Sequence, residues 1–270
     1  MVEWTLPERW DAGDGEVHWG AFGEGPAMVL LHGTPFSSFI WRDIVPVLAR
    51  DHTVYVWDML GFGASGKDSL DVSLRRQATI FVDLLQHWGI ETPRVVAHDV
   101  GGVVALRTTL LHEMTFRSLT LIDAASVTGW GSGGFFQAVH AHPGAFSELP
   151  DWASDALVDA KIRSGSHMGL RADARQAYVD QWATPEARLA FYRQYAQGGE
   201  EHTGELQDLL GSLTVPLHVI WGAQDRWLDL DYARRLVEAL PRQTRFSVIE
   251  GAGHMVPEDQ PGALLQLLSE

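Results

Sequence analysis

The chain has 270 residues, 46% of them hydrophobic and 10% aromatic, which suits a large α/β fold carrying an insertion. Its 35 acidic and 20 basic residues leave a net charge of −15, which argues against nucleic acid or an anionic membrane as partner, since both attract basic surfaces. Cysteine is absent, so disulfides and thiol chemistry are excluded, and a cytoplasmic setting is the expectation.

From Met1 to Trp10 there is no apolar segment of signal-peptide length, and no run of about 18 apolar residues occurs anywhere. Val17–Phe22, ahead of the Gly23-Glu24-Gly25-Pro26 turn, reads as an added antiparallel edge strand. Ala27–Leu31 is a strand that ends in His32-Gly33-Thr34-Pro35. Gly33 lets the backbone turn closely and leaves the Thr34 N–H free to point at developing negative charge. A plain strand-ending turn would read the same way. A helical stretch follows at Ser38–Ala49, then a strand at Thr53–Trp57 and a helix at Leu74–Trp88.

The next strand, Arg94–Ala97, stops at His98-Asp99-Val100-Gly101-Gly102, and a helix pattern runs over Gly102–His112. That is the strand–turn–helix context of a nucleophile elbow. Ala97, Gly101 and Gly102 supply the small residues needed where two backbones nearly touch. The apex is Asp99, a carboxylate that needs no base to activate it. It can attack a saturated carbon and leave an ester on the protein. The Val100 N–H follows it and pairs with that of Thr34 as a candidate oxyanion hole. Asp and Gly are also ordinary turn formers, so the elbow does not decide the matter alone.

Ser118–Ile122 is a strand ending in Asp123. From about Val127 to Leu213 the strands vanish and aromatic-rich helical pieces take over, among them Phe135, Phe136, Tyr178, Trp182, Phe191 and Tyr192. Gly129–Gly134 and Gln197–Gly204 mark the two loose ends. The expectation is a core of residues 1–126 and 214–270 with a helical cap, 127–213, over the carboxyl edge of the sheet. Strand Leu217–Trp221 leads into Gly222-Ala223-Gln224-Asp225, and helix Asp231–Leu240 follows. Strand Arg245–Ile249 leads into Glu250-Gly251-Ala252-Gly253-His254, and Gly262–Leu268 is the last helix. Asp225 can orient His254, which then draws a proton from water. Asp123 stands open as a second acid. Alternating strands and helices indicate an α/β class with a mostly parallel, doubly wound sheet. The twelve histidines are scattered without ligand spacing, so neither metal nor cofactor is expected.

The ordered set Thr34 turn, Asp99 elbow, Asp225 and His254 resembles the α/β-hydrolase superfamily over essentially the whole chain. The His98-Asp99 elbow and the His32-Gly33-x-Pro35 turn resemble its branch of epoxide hydrolases and haloalkane or haloacetate dehalogenases. That resemblance implies two steps: Asp99 forms an alkyl ester, and water activated by Asp225–His254 hydrolyses it. Some dehalogenases take the acid from the position of Asp123, epoxide hydrolases from that of Asp225, and Asp225 is preferred here. Val100 stands where haloalkane dehalogenases carry tryptophan and haloacetate dehalogenases arginine, and Thr34 where asparagine is common. Little of the halide clamp is therefore present. Phe191-Tyr192-Arg193 resembles the segment that brings one epoxide-holding tyrosine, which makes Tyr192 the expected proton donor. No second tyrosine occurs near Phe135-Phe136-Gln137. Phe136, Gln137 and His140, with His32 from the first turn, are the expected substrate contacts. The expected activity is hydrolysis of a small apolar epoxide, with water as second substrate. A dehalogenase is the runner-up, a catalytically silent ligand-binding homologue comes next, and an ester or C–C hydrolase is disfavoured by aspartate in place of serine. Oligomeric state is not legible.

Overall fold

The computed structural model describes residues 4–130 and 134–270, so positions 131–133 of the expected Gly129–Gly134 junction lie outside the described residues. Eight strands form one sheet in the order β1-β2-β4-β3-β5-β6-β7-β8. They are β1 (Glu8–Asp11), β2 (Glu16–Phe22), β3 (Ala27–Leu31), β4 (Thr53–Trp57), β5 (Arg94–His98), β6 (Ser118–Ile122), β7 (Leu217–Gly222) and β8 (Arg245–Ile249). β1–β2 and β2–β4 pair antiparallel; every other pair is parallel. The central strands β3, β5 and β7 are mostly apolar and buried because helices cover both faces of a parallel sheet, while β6, Ser-Leu-Thr-Leu-Ile, keeps an alternating pattern.

Two expectations change. Glu16–Phe22 is antiparallel as expected but lies one place in from the edge, because β1 pairs outside it. β1 is short, polar and mostly exposed, so it carries no alternating signal. The expected helix Ser38–Ala49 is a 3₁₀ turn, Ser38–Trp41, followed by one short helix, α1 (Val45–Leu48). Pro46 lies within the first two positions of α1, and a proline without an N–H cannot continue a helix begun upstream.

Helix α2 (Leu74–His87) starts on Ser73, whose side chain accepts from the Arg76 N–H at 3.2 Å, a cap worth about 1 kcal/mol. Leu74, Ala78, Phe81 and Leu85 follow at helical spacing and are all buried. Helix α3 (Val100–Leu111) is apolar nearly all round and is buried between the sheet and α2. Between β6 and β7 every described element is helical: α4 (Gly134–Ala141), α5 (Pro143–Ser147), α6 (Asp151–Ser164), α7 (Ala172–Asp180), α8 (Pro185–Gln197), α9 (Glu201–Gly204) and a 3₁₀ turn at Leu210–Ser212. Helices α10 (Leu230–Ala239), α11 (Val256–Asp259) and α12 (Pro261–Leu268) complete the chain. Among the described residues no helix is long and apolar enough to cross a membrane.

The inserted helices are tied to the loops below them. Trp182 donates from Nε1 to the Pro35 carbonyl at 3.1 Å, and Arg193 donates to the carbonyls of Lys67 and Ser69 at 3.0 and 2.7 Å. Gln197 accepts from the Val72 N–H and donates to the Leu70 carbonyl, both at 2.7 Å.

The β5–α3 turn allows little side-chain volume. A Cβ on Gly101 would lie 2.5 Å from the His32 carbonyl oxygen and one on Gly102 2.6 Å from the Ala124 Cβ. Gly101→Ala should therefore destabilise the fold by about 1–3 kcal/mol, as overpacking against backbone does. Urea unfolding measures it. An unchanged midpoint would mean that the turn relaxes freely.

Candidate active site

The carboxyl ends of β3, β5, β6, β7 and β8 open onto one cleft, and the strand order reverses direction around β3 and β5. Open α/β sheets place ligands at such a reversal. β5 ends at His98 and α3 begins at Val100, so Asp99 makes the turn alone, at φ +53° and ψ −125°. A non-glycine residue in that region carries about 1–3 kcal/mol of strain, held here by its neighbours. Gly33 must lack a side chain for the same reason: its Cβ would lie 2.3 Å from the Asp99 Cβ.

The turn presents the Asp99 carboxylate in a fixed pose. Oδ1 accepts the Thr34 N–H at 2.8 Å, and Oδ2 lies 3.2 Å from His254 Nε2. Burial pushes the Asp99 pKa up, but the hydrogen bond and charge of His254, with the Val100 N–H, hold it below the ordinary carboxylate value. Asp99 is ionised. His254 Nδ1 lies 2.8 Å from Asp225 Oδ2, and Asp225 Oδ1 accepts the N–H groups of Trp227 and Leu228 at 2.7 and 3.0 Å. Burial pushes His254 down, yet the Asp225 and Asp99 carboxylates outweigh it and raise the imidazole to about 10. The histidine is thus an imidazolium clasped between two carboxylates.

Asp123, the other acid weighed from sequence, is not the carboxylate on His254. It ends β6 at φ +42°, fully buried, with Oδ1 accepting the Gly222 N–H at 2.9 Å. Burial and the charge of Asp225 raise its pKa well above the usual range, so it is held protonated. The donor atoms of Asp123, Asp225 and His254 lie within 4.8 Å of one another. Those of Asp225 and His254 are already committed to each other, to Asp99 and to backbone amides, which leaves no pre-formed metal cage there.

Two further histidines brace this arrangement. His98 donates from Nε2 to the His254 carbonyl at 2.8 Å, and burial, helped by the charge of His254, depresses it to about 4. It remains neutral and ties the elbow strand to the histidine loop. His32, expected at the substrate, is not there. Its Nε2 accepts the Met59 N–H at 2.9 Å, so its Nδ1–H donates to the Gly33 carbonyl at 3.0 Å. Both ring nitrogens serve backbone, and burial holds the ring neutral.

A cavity of about 270 Å³ lies over Asp99. Thr34, Phe62, Val100 and Ala125 line its floor, and Phe135, Phe136, Lys161, Gln194 and Tyr195 come to it from the inserted helices. Of the expected contacts, Phe136 is in place. Gln137 and His140 are not: both are exposed, and His140 Nδ1 lies 3.1 Å from the Tyr195 carbonyl. Phe135, Phe136 and Val139 take the inner face of α4; a turn of about 100° per residue carries Gln137 outward, and His140, one turn beyond Phe136, stacks on that ring at 5.8 Å from the exposed end of the helix.

Tyr192 is likewise misplaced by the sequence reading. Its hydroxyl lies 3.0 Å from Ser154 Oγ and its ring 5.7 Å from Phe146, between α5 and α6 and away from the cavity. The cavity-facing positions of α8 are Gln194 and Tyr195, with Gly198 just past its end, and Tyr192 lies off that stripe. Tyr195 is the tyrosine at the site. Its hydroxyl is buried without a partner among the described residues, and burial, together with the nearby Asp99 charge, holds the phenol protonated. Beside it, Gln194 accepts the Thr34 hydroxyl at 2.8 Å, while its Nε2 is buried and unpartnered. Two orphaned donors thus line a cavity above an ionised carboxylate.

The chain matches the alpha/beta hydrolase fold family over residues 26–261. It is similar to a solved alpha/beta hydrolase fold protein from Burkholderia ambifaria, 37% identical, covering 98% of this chain and 97% of that one, with a TM-score of 0.94. A soluble epoxide hydrolase of Corynebacterium sp. strain C12 is 27% identical over 267 residues, 91% of this chain and 89% of that protein. The haloalkane dehalogenase DbeA from Bradyrhizobium elkani USDA94, 21% identical over 97% of this chain and 95% of that one, has a TM-score of 0.85 and so shares the fold.

The charge coupling around His254 has a measurable consequence. Its folded pKa, about 10, exceeds the unfolded value of about 6.5, so the coupling stabilises the fold fully below pH 6.5. That stabilisation is lost as pH rises through the folded pKa. Asp99→Asn removes one of the two carboxylates and should move the His254 titration downward, read by imidazole NMR. An unmoved titration would deny Asp99 a part in the coupling.

Proposed function

The chain belongs to the α/β-hydrolase fold family, and on that premise we propose that it hydrolyses an alkyl electrophile through a covalent ester on Asp99, an epoxide being the leading substrate class. The observation that carries this reading is the pose of Asp99, with Oδ1 on the Thr34 N–H at 2.8 Å and Oδ2 turned to His254 at 3.2 Å. The helices of residues 127–213 act as a cap that closes water away from the reacting carbon.

In the first step Asp99 Oδ2 attacks an oxirane carbon and the C–O bond breaks. The alkoxide takes the Tyr195 proton, which burial holds more tightly than in a free phenol but which so strong a base can still remove. The ester leaves Asp99 uncharged, so His254 loses one of the carboxylates that held its proton. That proton returns to Tyr195 by way of water, and the imidazole becomes a base. It then takes a proton from the water that attacks the Asp99 carbonyl carbon. The charge that develops on Oδ1 meets the N–H groups of Thr34 and Val100. Collapse of this intermediate releases the diol with one former Asp99 oxygen, and the water oxygen stays in the Asp99 carboxylate. Asp225 holds the His254 ring throughout.

A second reading, an alkyl halide, is favoured by the unpartnered Gln194 Nε2, an N–H donor of the kind a departing halide wants. A panel of matched epoxides and haloalkanes, read for diol and halide release, separates the two.

Single turnover in heavy-oxygen water should place the label in Asp99, by peptide mass spectrometry, and leave first-turnover product unlabelled. Product labelled in that turnover would sink the covalent route. His254→Gln should trap the alkyl-enzyme, one substrate mass heavier at Asp99. An unmodified variant that still binds substrate would remove His254 from the second step.

Tyr195→Phe should slow alkylation of Asp99 by about 10²–10³, the usual effect of deleting one oxyanion donor. Tyr192→Phe should alter the same step by less than about threefold, since its hydroxyl faces Ser154. Pre-steady-state alkylation rates for both variants test the assignment, and the reverse ranking would return the role to Tyr192.

A further inference from the structure

The cavity carries two cations that the proposed reaction does not use, Lys161 inside it and Arg226 at its rim. Lys161 projects from α6 into it, with Nζ 3.1 Å from the centroid of the Trp227 ring and 6.0 Å from that of Phe135. Among the described residues it makes no hydrogen bond through Nζ and no ion pair, although acids outnumber bases 35 to 20 in the chain. Arg226, at the exposed rim of the same cavity, is also unpaired among the described residues. An ammonium drawn out of water against an indole face keeps part of its attraction for anions, because a ring replaces only part of its hydration.

Resting on the Asp99 reading above, we propose that the electrophile this site takes carries a carboxylate, and that the Lys161 ammonium anchors it while Asp99 attacks. A negatively charged nucleophile repels a negatively charged substrate, and a cation set in the same cavity offsets that repulsion. The leaving oxygen has its own neutral donors, Tyr195 and Gln194, so Lys161 is free for a group that does not react. Trp227 fixes the anchor from both sides. Its backbone N–H caps Asp225 at 2.7 Å and its indole Nε1 donates to Ser164 Oγ at 3.0 Å, one turn of α6 beyond Lys161.

The test compares a short epoxy acid with its primary amide, which differ in charge and little in size. The wild-type protein should favour the acid in kcat/KM by about 10- to 100-fold, the usual worth of a charged hydrogen bond. In Lys161→Met that ratio should fall to about one, through KM more than kcat, and Lys161→Arg should restore part of it. Inert butanoate and butanamide, titrated calorimetrically into the same proteins, read the anchor without chemistry. Burial of Lys161, opposed by the carboxylates of Asp99 and Asp225, brings its pKa down to about 8. The wild-type preference should accordingly fade as pH rises through 8, a readout that needs no variant to fold. The charges acting on Lys161 are those two carboxylates; the Tyr195 phenol and the Arg226 guanidinium line the same cavity, and His254, packed on the Trp227 ring, titrates higher, at about 10.

An acid-to-amide ratio near one in the wild type, or one that persists in Lys161→Met, overturns the anchor. So does an equal fall in kcat for acid and amide, which would make Lys161 the proton donor instead. Alkylation of Asp99 by both compounds at equal rates would leave the covalent reading standing and the anchor refuted. Butanoate binding that needs Lys161, with no alkylation of Asp99 by either compound, would do the opposite.

Discussion

Everything at this site depends on two opposite charges kept out of water and in contact, the Asp99 carboxylate and the His254 imidazolium. Either one alone in that position would be expensive, since an isolated buried ion shifts its pKa and neutralises. The surroundings are arranged to keep both. Two backbone N–H groups meet the carboxylate, a second carboxylate meets the far side of the ring, and His98 beside them is driven neutral so that no further cation competes. Asp123 follows the same logic from the other side. A third ionised carboxylate against Asp225 would repel it in a dry pocket, and Asp123 takes a proton instead. This pair is also what makes a two-step reaction workable. In the proposed reaction, alkylation of Asp99 would cancel its charge and weaken the hold on the His254 proton, so that the base would appear only once there is an ester to hydrolyse.

The inserted helices are held in register with that pair rather than resting loosely above it. Tyr178 on α7 donates to Glu258 at 2.5 Å, and Glu258 is in turn ion-paired with the buried Arg42. Glu258 lies on α11, which begins two residues after His254. On the same short helix Asp259 accepts from Gly253 at 2.8 Å, and from Ser166 and His167 of the insertion at 2.5 and 2.8 Å. A buried ion pair adds little net stability, because desolvation offsets its attraction, but it fixes one arrangement against others. The histidine loop and the insertion therefore share one anchor, and a shift in either would be felt at Nε2.

The core was legible because its signals are local and geometric. Each functional loop of the sheet follows an apolar β-branched run, and the glycines at positions 33, 101 and 102 are required by contacts of 2.3–2.6 Å that the sequence context implies. That is why Asp99, Asp225, His254 and the Thr34 amide could be named in advance and are found together. The inserted helices were not legible in the same way. Phe191, Tyr192 and Tyr195 are all buried, so the burial pattern of α8 does not reveal which tyrosine turns toward the cleft. Family-like spacing pointed to Tyr192, while packing against α5 and α6 decided for Tyr195. Lys161 was hidden differently. In Asp155-Ala-Leu-Val-Asp-Ala-Lys161 it reads as one more charge on a solvated helix, and only the indole beneath it, from a loop 66 residues on, marks it as part of the cavity.

If Asp99 is the nucleophile, as proposed, the placement of charge in the cavity suits what a carboxylate nucleophile needs. A cation in direct contact with Asp99 from the substrate side would form an ion pair there and blunt its attack. The donors brought closest by α8 are accordingly neutral, a phenol and an amide, which stabilise charge on the leaving atom without claiming the nucleophile beforehand. The one ammonium stands off on the Trp227 face, and no ion pair joins it to Asp99. There it acts on the carboxylates through the field rather than by contact, close enough to offset the charge of an arriving anion. On the proposed reading, a cavity built this way separates two tasks that a single cation would confuse, holding the substrate and leaving the attacking oxygen with His254 as its cationic contact.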